Sequence, residues 1–406
     1  MKKIFQISII LFLFLSCAEQ KSTELKSGIW RGVMAVQDGH QLPFNFEVSK
    51  SEAGYRVQVY TAEEVLEIDE ISTKGDSIIM RMPVFDGYIA GTFSLDSMNG
   101  EFIKDDLDRR VPFLAVSGDS DRFKGNNPPG VEVGGIWETY FSKGSEDEYE
   151  AKGIFQQDGS RATGTFRTTT GDYRYLEGVV EGDSLKLSTF DGAHVFLFLA
   201  RVTDSTMQGV FYSGNHFQEP FEGRRNATYE LPDEDSLTYL KEGYEKVDFS
   251  FPDENGNLIS PDDPEFRDKV VILQIMGTWC PNCLDETRFL VDYLKEKGQE
   301  DLKVISLAFE YARTEERAFR GIRRLKERLG VPYPILLAQY GSSNKQTANE
   351  KLPMLNHILS YPTTVFIDRE GRVRKIHTGF NGPATGEKYT EFKTEFHDFV
   401  QGLLSE

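Results

Sequence analysis

Cysteine is scarce in this chain, which has three cysteines among 406 residues: Cys17, Cys280 and Cys283. A framework of several structural disulfides is therefore excluded. A structural zinc site usually needs about four cysteine or histidine ligands. No histidine lies close to Cys280 and Cys283 in the sequence, so we expect no metal there. Their close spacing leaves two interpretations, an inert disulfide and a redox-active one.

Positive charge and long apolar runs are also scarce. The chain has 46 lysines and arginines against 65 acidic residues, a formal net charge of −19. This charge argues against nucleic acid or a bare anionic membrane surface as a partner. The most apolar segment, residues 4–15, is too short for a helix that spans a bilayer core of about 30 Å.

The N-terminus has the pattern of an export signal. Two lysines precede the apolar segment and Ser16 follows it, so residues 1–16 are predicted to be a signal peptide. The next residue, Cys17, stands where bacterial lipoproteins have their lipobox cysteine. This resemblance implies cleavage before Cys17, a lipid on that cysteine, and attachment to a membrane through residues 17–27. The alternative is an ordinary signal peptide followed by an incidental cysteine.

The lipobox resemblance also implies a location. A lipid on Cys17 would make the protein a membrane-anchored lipoprotein of the bacterial cell envelope that faces the periplasm. Lipoproteins that stay in the inner membrane have Asp directly after the lipidated cysteine. This chain has Ala18 at that position, which favours the outer membrane. The mature chain would then keep only one pair of cysteines, Cys280 and Cys283.

Residues 28–225 have the pattern of short β-strands. Alternating segments such as residues 55–60 are separated by Gly, Asp, Asn and Ser, which predicts an all-β sandwich or barrel. Four short matches recur in the same order at offsets of 105 to 109 residues, which indicates a duplication of about eight strands per copy, in residues 28–117 and 131–225. The matched pieces are Gly28-Ile29-Trp30 with Gly135-Ile136-Trp137, Gly75-Asp76-Ser77 with Gly182-Asp183-Ser184, Phe85-Asp86-Gly87 with Phe190-Asp191-Gly192, and Met98-Asn99-Gly100 with Met207-Gln208-Gly209.

The role of these β units is open at this stage. Their opening Gly-x-Trp loosely resembles the start of lipocalin-like barrels, which would make them ligand-binding units. Two other hypotheses are that they bind a partner or position the rest of the chain, and that they are a structural spacer.

The remainder of the chain changes pattern. Residues 226–246 contain several acids and are interpreted as a linker, with a short helical pattern in residues 237–244. In residues 247–406, buried-strand patterns alternate with helical ones and end in a hairpin and a helix, which is typical of a thioredoxin-like α/β sandwich. The apolar run of residues 270–276 has the length of a buried strand, and Cys280-Pro281-Asn282-Cys283 follows it at the start of a helical pattern.

This position has a chemical consequence for the cysteines. The first turn of a helix favours negative charge, so a thiol there ionises more easily, and the thiolate is the form that attacks a disulfide. Cys280 lies nearer the helix start and is predicted to attack. Cys283, one turn further, is predicted to resolve the mixed disulfide. The Cys280–Cys283 couple would then need no other cofactor.

Residues 245–406 resemble the TlpA-like envelope thioredoxins, which include the cytochrome c maturation reductases. The resemblance rests on Trp279 with the two cysteines, on acidic residues that match two family acids, and on a proline loop with the strand and turn that follow it. Those residues are Glu286, Glu310, Ser360-Tyr361-Pro362-Thr363-Thr364, Val365-Phe366-Ile367-Asp368 and Gly371.

The resemblance implies a role for each of these residues. Pro362 is expected to be cis and to pack against the cysteines, which leaves the backbone of Tyr361 free to pair with an extended substrate. Trp279 would cover the disulfide and guide partners, and Pro281 would shape the site between the cysteines. Glu286 would exchange a proton with Cys283, and Glu310 would be a second acid at the site.

The resemblance also implies the reaction. We expect a thiol-disulfide oxidoreductase of the protein-disulfide reductase type, acting on protein thiols and disulfides. Because no further cysteines are available, electrons must come from a separate thioredoxin-like donor or a membrane reductase. Two alternatives remain. A peroxiredoxin-like peroxidase would need a threonine three residues before the reactive cysteine, where this chain has Gly277. A binding lipoprotein would hold a ligand or partner in its β units.

One basic segment stands out in this acidic chain. Residues 313–328 hold seven basic and three acidic residues, with an apolar stripe at helical spacing. The simplest interpretation is a solvent-exposed helix face. The second is docking onto acidic patches, such as those of the β units.

Overall fold

The structure is a computed structural model that describes residues 24–52, 54–125, 127–298 and 300–406. The predicted signal peptide, residues 1–16, and the predicted lipidation site, Cys17, lie outside the described residues. Across those described ranges, no helix combines the length and the apolar character needed to cross a membrane.

The alternation of polar and apolar residues produces antiparallel strands between residues 28 and 225, and the all-β prediction is confirmed. The first nine strands are β1 (Gly28–Ala35), β2 (Gln41–Ser51), β3 (Gly54–Thr61), β4 (Glu64–Ile68), β5 (Glu70–Lys74), β6 (Ser77–Arg81), β7 (Tyr88–Phe93), β8 (Ser97–Lys104) and β9 (Arg109–Ser117). The next nine are β10 (Gly135–Phe141), β11 (Tyr149–Asp158), β12 (Arg161–Thr168), β13 (Gly171–Asp172), β14 (Leu176–Glu181), β15 (Ser184–Phe190), β16 (Val195–Val202), β17 (Thr206–Ser213) and β18 (Phe217–Arg225).

Strands β1 to β9 form the first β sheet, in the order β4-β3-β2-β1-β9-β8-β7-β6-β5. Because β1 pairs with both β2 and β9, the first and last strands are neighbours and the sheet is barrel-like. Its apolar face is filled by large, fully buried side chains, among them Trp30, Phe46 and Phe102. Gly32 allows this packing, because a Cβ atom there would lie 2.7 Å from the ring of Phe44.

Strands β10 to β18 form the second β sheet, in the order β11-β10-β18-β17-β16-β15-β14-β12-β13. A further pairing of β11 with β12 closes this sheet into a barrel. Fully buried aromatic rings such as Phe141 and Phe166 pack against each other in a T-shaped pair, with centroids 5.3 Å apart. Phe190 of β15 packs on Phe44 of the first sheet, with centroids 4.9 Å apart, so the two sheets share an apolar contact.

The C-terminal part is the predicted thioredoxin-like α/β sandwich, and this prediction is confirmed. Its sheet has the order β23-β22-β21-β24-β25, with β22 parallel to β21 and β24 antiparallel to it. The elements are β19 (Phe251–Pro252), β20 (Leu258–Ile259), β21 (Val270–Met276), α1 (Pro281–Lys297), β22 (Leu302–Phe309), α2 (Glu315–Leu329), β23 (Ile335–Gln339), α3 (Lys345–Asn349), β24 (Thr363–Ile367), β25 (Val373–Thr378) and α4 (Glu387–Ser405).

The helical pattern in residues 237–244 does not form a helix, so that detail of the prediction is wrong. The one helical turn in this connection is a 3-10 helix at Glu234–Ser236. Instead, Leu240 forms an antiparallel bridge with Leu355, and the backbone N–H of Lys241 donates to the carbonyl of Met354. Pairing with a distant backbone outweighs the local helical preference.

Helix α2 turns its basic face towards the first β sheet. Arg328 forms an ion pair with Asp69 at 2.8 Å, and Arg324 forms one with Glu70 at 2.8 Å. The hydrogen bond from Arg328 lowers the pKa of Asp69. The docking interpretation of residues 313–328 is therefore the one that the structure supports, and the solvent-exposed interpretation is wrong for these arginines.

Candidate redox site

The two cysteines lie at the junction between β21 and α1. Cys280 is the N-cap residue of α1, with an extended backbone, and Cys283 is in the first turn. The two form a disulfide, with their Cα atoms 5.2 Å apart. The backbone N–H of Cys283 donates to Sγ of Cys280 at 3.2 Å. Cys280 is the more accessible of the two cysteines: it is 6% exposed, whereas Cys283 is fully buried.

The proline loop borders the disulfide. The Tyr361–Pro362 bond is cis, and the carbonyl oxygen of Tyr361 lies 3.4 Å from Sγ of Cys280. The Trp279 ring packs edge-on against the Tyr361 ring, with centroids 5.7 Å apart. Its Nε1 donates to the carbonyl of Phe309 at 2.9 Å, which fixes the ring beside the cysteines.

Glu286 is buried beneath the pair, on the face of α1 that packs on the sheet. Its carboxylate accepts hydrogen bonds from Thr364 at 2.6 Å and from Gln274 at 2.8 Å. The same Gln274 amide nitrogen lies 3.5 Å from the carbonyl of Cys283. Burial raises the pKa of Glu286 to about 7, although these hydrogen bonds act in the opposite direction. The carboxyl can therefore change protonation near neutral pH.

Glu310 is a second buried acid on the other side of Trp279. It accepts hydrogen bonds from the backbone N–H of Thr278 at 2.7 Å and from its hydroxyl at 2.8 Å. Burial raises its pKa to about 7 as well. The turn has no room for a side chain at Gly277, because a Cβ atom there would lie 2.3 Å from Nε1 of Trp279. Glu310 thus holds the loop that carries Trp279 and Cys280.

The residues singled out in residues 245–406 are brought together at one end of the five-stranded sheet. The contacts described above link Cys280 to Tyr361, Cys283 to Glu286 through Gln274, and Thr278 to Glu310. Pro281 is the first residue of α1 and is buried. Their roles in catalysis remain predictions. Among the described residues, no group of three or more His, Cys, Asp or Glu side chains is placed to hold a metal ion.

Comparisons with known proteins agree with this geometry. Residues 241–391 match the Redoxin family. The chain is 26% identical over 140 residues to the thioredoxin-like protein YneN of Bacillus subtilis, covering 34% of this chain and 73% of that protein. It is 24% identical over 140 residues to the thiol-disulfide oxidoreductase ResA of the same organism, covering 34% and 69%.

A third relative and a solved structure also match part of the chain. The thiol:disulfide interchange protein DsbE of Pasteurella multocida is 27% identical over 111 residues, covering 27% of this chain and 51% of that protein. A solved thiol-disulfide oxidoreductase from Bacteroides fragilis is 19% identical and covers 37% of this chain and 99% of its own, with a TM-score of 0.28. The family match and the three sequence relatives show that the C-terminal region is a redoxin domain, related to thioredoxin-like thiol-disulfide oxidoreductases, and the predicted resemblance is confirmed.

The structure also places a segment of the second β sheet against the redox face, which the sequence had not indicated. This segment, residues 168–174, is called the strap below. The Ser360 hydroxyl donates to the carbonyl of Thr170 at 2.7 Å. The Asn282 amide donates to the carbonyl of Asp172 at 3.1 Å, and the Asp172 carboxylate accepts from the N–H of Gly382 at 2.6 Å.

The end of the strap is anchored by a buried arginine. The Arg174 guanidinium donates to Asp285 of α1 at 3.2 Å and also forms an ion pair with Glu64 of the first sheet. Burial raises the pKa of Glu64 to about 7. A buried charge needs partners of opposite sign, so Arg174 fastens both β sheets to the helix that carries the cysteines.

Proposed function

We propose that this protein is a thiol-disulfide oxidoreductase that reduces disulfide bonds in proteins of the bacterial cell envelope. The observation that carries the proposal is the place of Cys280, at the N-cap of α1 with its Sγ accepting the N–H of Cys283. Hydrogen bonding and the positive end of the helix both favour the thiolate over the thiol. The names of the relatives support the same class of reaction.

The reaction uses the pair in its reduced form. The Cys280 thiolate attacks one sulfur of a substrate disulfide; a bond forms between Cys280 and that sulfur, the substrate disulfide breaks, and the other sulfur leaves as a thiolate. Cys283 then loses its proton and attacks Sγ of Cys280. This step forms the Cys280–Cys283 disulfide and releases the second substrate thiolate. Two electrons pass to the substrate, whose two sulfurs end as thiols.

Glu286 is the acceptor that we propose for the proton of Cys283. It is buried one helical turn after that cysteine, and both contact the Gln274 amide. A pKa of about 7 makes Glu286 able to take up a proton and return it. The oxidised pair must then be reduced again by a separate dithiol protein or a membrane reductase. We propose that no cofactor other than the Cys280–Cys283 couple takes part.

We further propose that a lipid on Cys17 attaches the protein to a membrane, the outer membrane by preference, with the redox domain in the periplasm. The sequence pattern before Cys17 supports this. Fractionation of a bacterium that expresses the full chain tests it, with Cys17→Ser as the variant. We expect membrane association of the wild type and release of the variant into the soluble fraction; equal fractionation of the two would contradict the anchor.

The reaction itself is tested by turbidimetric reduction of insulin with dithiothreitol as donor. We expect the wild type to accelerate it and Cys280→Ser to abolish the acceleration. Cys283→Ser should accumulate a mixed disulfide between Cys280 and the substrate, visible on a non-reducing gel. A Cys280→Ser variant as active as the wild type would refute the proposed mechanism. Consumption of peroxide in place of insulin reduction would favour the peroxidase alternative.

A further inference from the structure

A cavity of about 470 Å³ lies where both β sheets meet the redoxin domain. On the redoxin side it begins at Trp279, the residue before Cys280, and at Tyr311. Its other walls are residues of β8 and β9 in the first sheet and of β16 to β18 in the second, including Phe196 and Phe217. This space is called the cleft below. The rings of Phe217, which is exposed, and of Trp279 offer apolar surface there.

The charge of the cleft is opposite to that of the chain. None of the residues that line it is Asp or Glu, and its lysine and arginine residues are Lys104 and Arg109, in a chain whose formal net charge is −19. Lys104 is 8% exposed and donates to the carbonyl of Ala193 at 3.1 Å. Burial lowers the pKa of Lys104 to about 8, so the amine is still mostly charged at pH 7. Burial likewise lowers the pKa of His216 to about 4, which leaves that ring neutral.

The two cations also stand directly opposite each other. Lys104 ends β8 and Arg109 begins β9, and they are register partners in the antiparallel pair. Like charges at such positions are destabilising. Within the described residues, neither side chain forms an ion pair with a carboxylate. The three acids of the turn between them have other partners: Asp105 accepts a hydrogen bond from the Tyr88 hydroxyl at 3.2 Å, and Asp106 and Asp108 form ion pairs with Arg317 and Arg313 of the redoxin domain.

The opposite side of the redox pair is closed. There the strap covers Asn282 and Ser360 through the hydrogen bonds described above, and Gly171 lies so close that a Cβ atom would come within 2.2 Å of Nδ2 of Asn282. On the other side of Cys280, Trp279 is only half-buried and lines the cleft.

We propose that the cleft receives the substrate, and that the substrate is a polypeptide with aspartate or glutamate residues next to its disulfide. Carboxylates of such a segment would pair with Lys104 and Arg109 and remove their mutual repulsion. The apolar neighbours of the cystine would pack on Phe217 and Trp279. This inference rests on the proposed function and adds a class of substrate to it.

The test uses the full-length protein with its cysteines reduced beforehand, and two disulfide peptides of equal length. The cystine is flanked by glutamates in one peptide and by lysines in the other. The rate constant for oxidation of the protein is measured in a single turnover. We expect the glutamate peptide to react about tenfold faster at low salt, and this ratio to fall towards one in about 0.5 M salt, where the Debye length is only a few ångströms. A ratio near one at low salt would overturn the proposal.

Variants assign the preference to the cleft. Arg109→Glu should lose or invert the ratio between the two peptides, each rate being divided by the rate of the same variant with 2-hydroxyethyl disulfide, which is small and uncharged. Arg110→Glu is the matched control: its side chain is 59% exposed and pairs with Glu101, outside the cleft. Equal ratios in the two variants would overturn the proposal. If Arg109→Glu fails to fold, the salt dependence of the peptide ratio in the wild type still tests the proposal.

The outcome separates this proposal from the one on which it rests. Oxidation of the reduced wild type by 2-hydroxyethyl disulfide without discrimination between the peptides would remove the cleft proposal and leave the oxidoreductase in place. Failure of every disulfide to oxidise the Cys280–Cys283 pair would remove the proposed function itself.

Discussion

Asn282, between the two cysteines, donates a hydrogen bond from its side chain to the backbone carbonyl of Asp172, 3.1 Å away in the second β sheet. The redox motif is thus in direct contact with a part of the chain that lies outside the redoxin domain. Access to Cys280 therefore depends on the position of the second sheet as well as on the redoxin domain itself. This contact argues against the hypothesis that the β units are only a structural spacer.

Substitution of Gly171 should expose the redox pair. Gly171 has a φ of +135°, and a Cβ atom there would lie 2.2 Å from the Asn282 amide. Gly171→Ala must therefore displace either the Asn282 side chain or the strap, and each movement breaks the hydrogen bond between Asn282 and Asp172. A loss of about 1 kcal/mol of docking contact raises the undocked population about fivefold. We expect the disulfide to be reduced by a small thiol such as dithiothreitol correspondingly faster, as followed by alkylation of Cys280.

Gly159→Ala is the matched control for this prediction. Gly159 is in the β11–β12 turn of the same sheet, has a φ of +59°, and a Cβ atom there meets no atom within 4 Å. Both substitutions strain a positive φ, Gly171→Ala more strongly because +135° lies outside the left-handed helical region, and only Gly171→Ala touches the redox motif. Identical reduction rates in the two variants would show that the strap does not limit access.

Removal of the buried arginine should destabilise the whole assembly. Arg174→Met leaves Glu64 buried without its ion-pair partner and leaves Asp285 paired with Arg288 alone, which costs about 3–5 kcal/mol. Arg201→Met is the comparison, because the Arg201–Asp183 pair is at the surface, with the arginine side chain 77% exposed, and should cost less than about 1 kcal/mol. Urea unfolding of the full chain, followed by tryptophan fluorescence, measures both. Similar midpoints for the two variants would contradict an anchoring role for Arg174.

The contact between α2 and the first sheet should respond to charge reversal. Arg328→Glu would face Asp69 and Glu70 with a third negative charge, so we expect a loss of about 1 kcal/mol that shrinks as salt is added. The double variant with Asp69→Arg, which leaves the Arg324–Glu70 pair in place, should recover most of this loss. Arg320→Glu, on an exposed position of the same helix, is the control. Urea midpoints at two salt concentrations provide the measurement, and failure of the double variant to recover stability would argue against a direct pair.

The core of the site could be predicted because its signals are local. An apolar run of strand length, two cysteines three residues apart and a helical pattern all lie within residues 270–294, and helix dipole and thiol chemistry follow from that order alone. The all-β character of residues 28–225 was visible for a similar reason, since alternation is a local property.

The strap and the cleft could not be predicted, because they depend on contacts between distant residues. Ser360 and its partner Thr170 are 190 positions apart, and Gly171 has the appearance of any turn glycine in the sequence. The basic segment of residues 313–328 could be recognised in the sequence. Its acidic partners could not be identified, because the chain has 65 acidic residues that could pair with it. Local preference also misled once, in residues 237–244, where a bridge between Leu240 and Leu355 replaced the expected helix.

Replacement of Glu286 should change both the stability of the protein and the pH dependence of its reaction. The folded state raises the pKa of this carboxyl from 4.5 to about 7, so the folded protein binds a proton more tightly than the unfolded chain. Between about pH 4.5 and pH 7 this contribution to stability is lost as the pH rises, and above pH 7 the loss is constant. Glu286→Gln cannot ionise and should be more stable than the wild type at pH 8, by at most about 3 kcal/mol.

The same variant should slow the second step of the reaction, because Cys283 loses its proton acceptor. We expect the rate of release from a mixed disulfide on Cys280 to fall roughly a hundredfold, and the inflection near pH 7 in its pH profile to disappear. Glu310→Gln is the comparison, since that acid is equally buried and also has a pKa of about 7, but bonds to Thr278 instead. An inflection that survives Glu286→Gln and vanishes in Glu310→Gln would mean that Glu310, and not Glu286, exchanges the proton with Cys283. One that survives both would mean that neither acid exchanges a proton with Cys283.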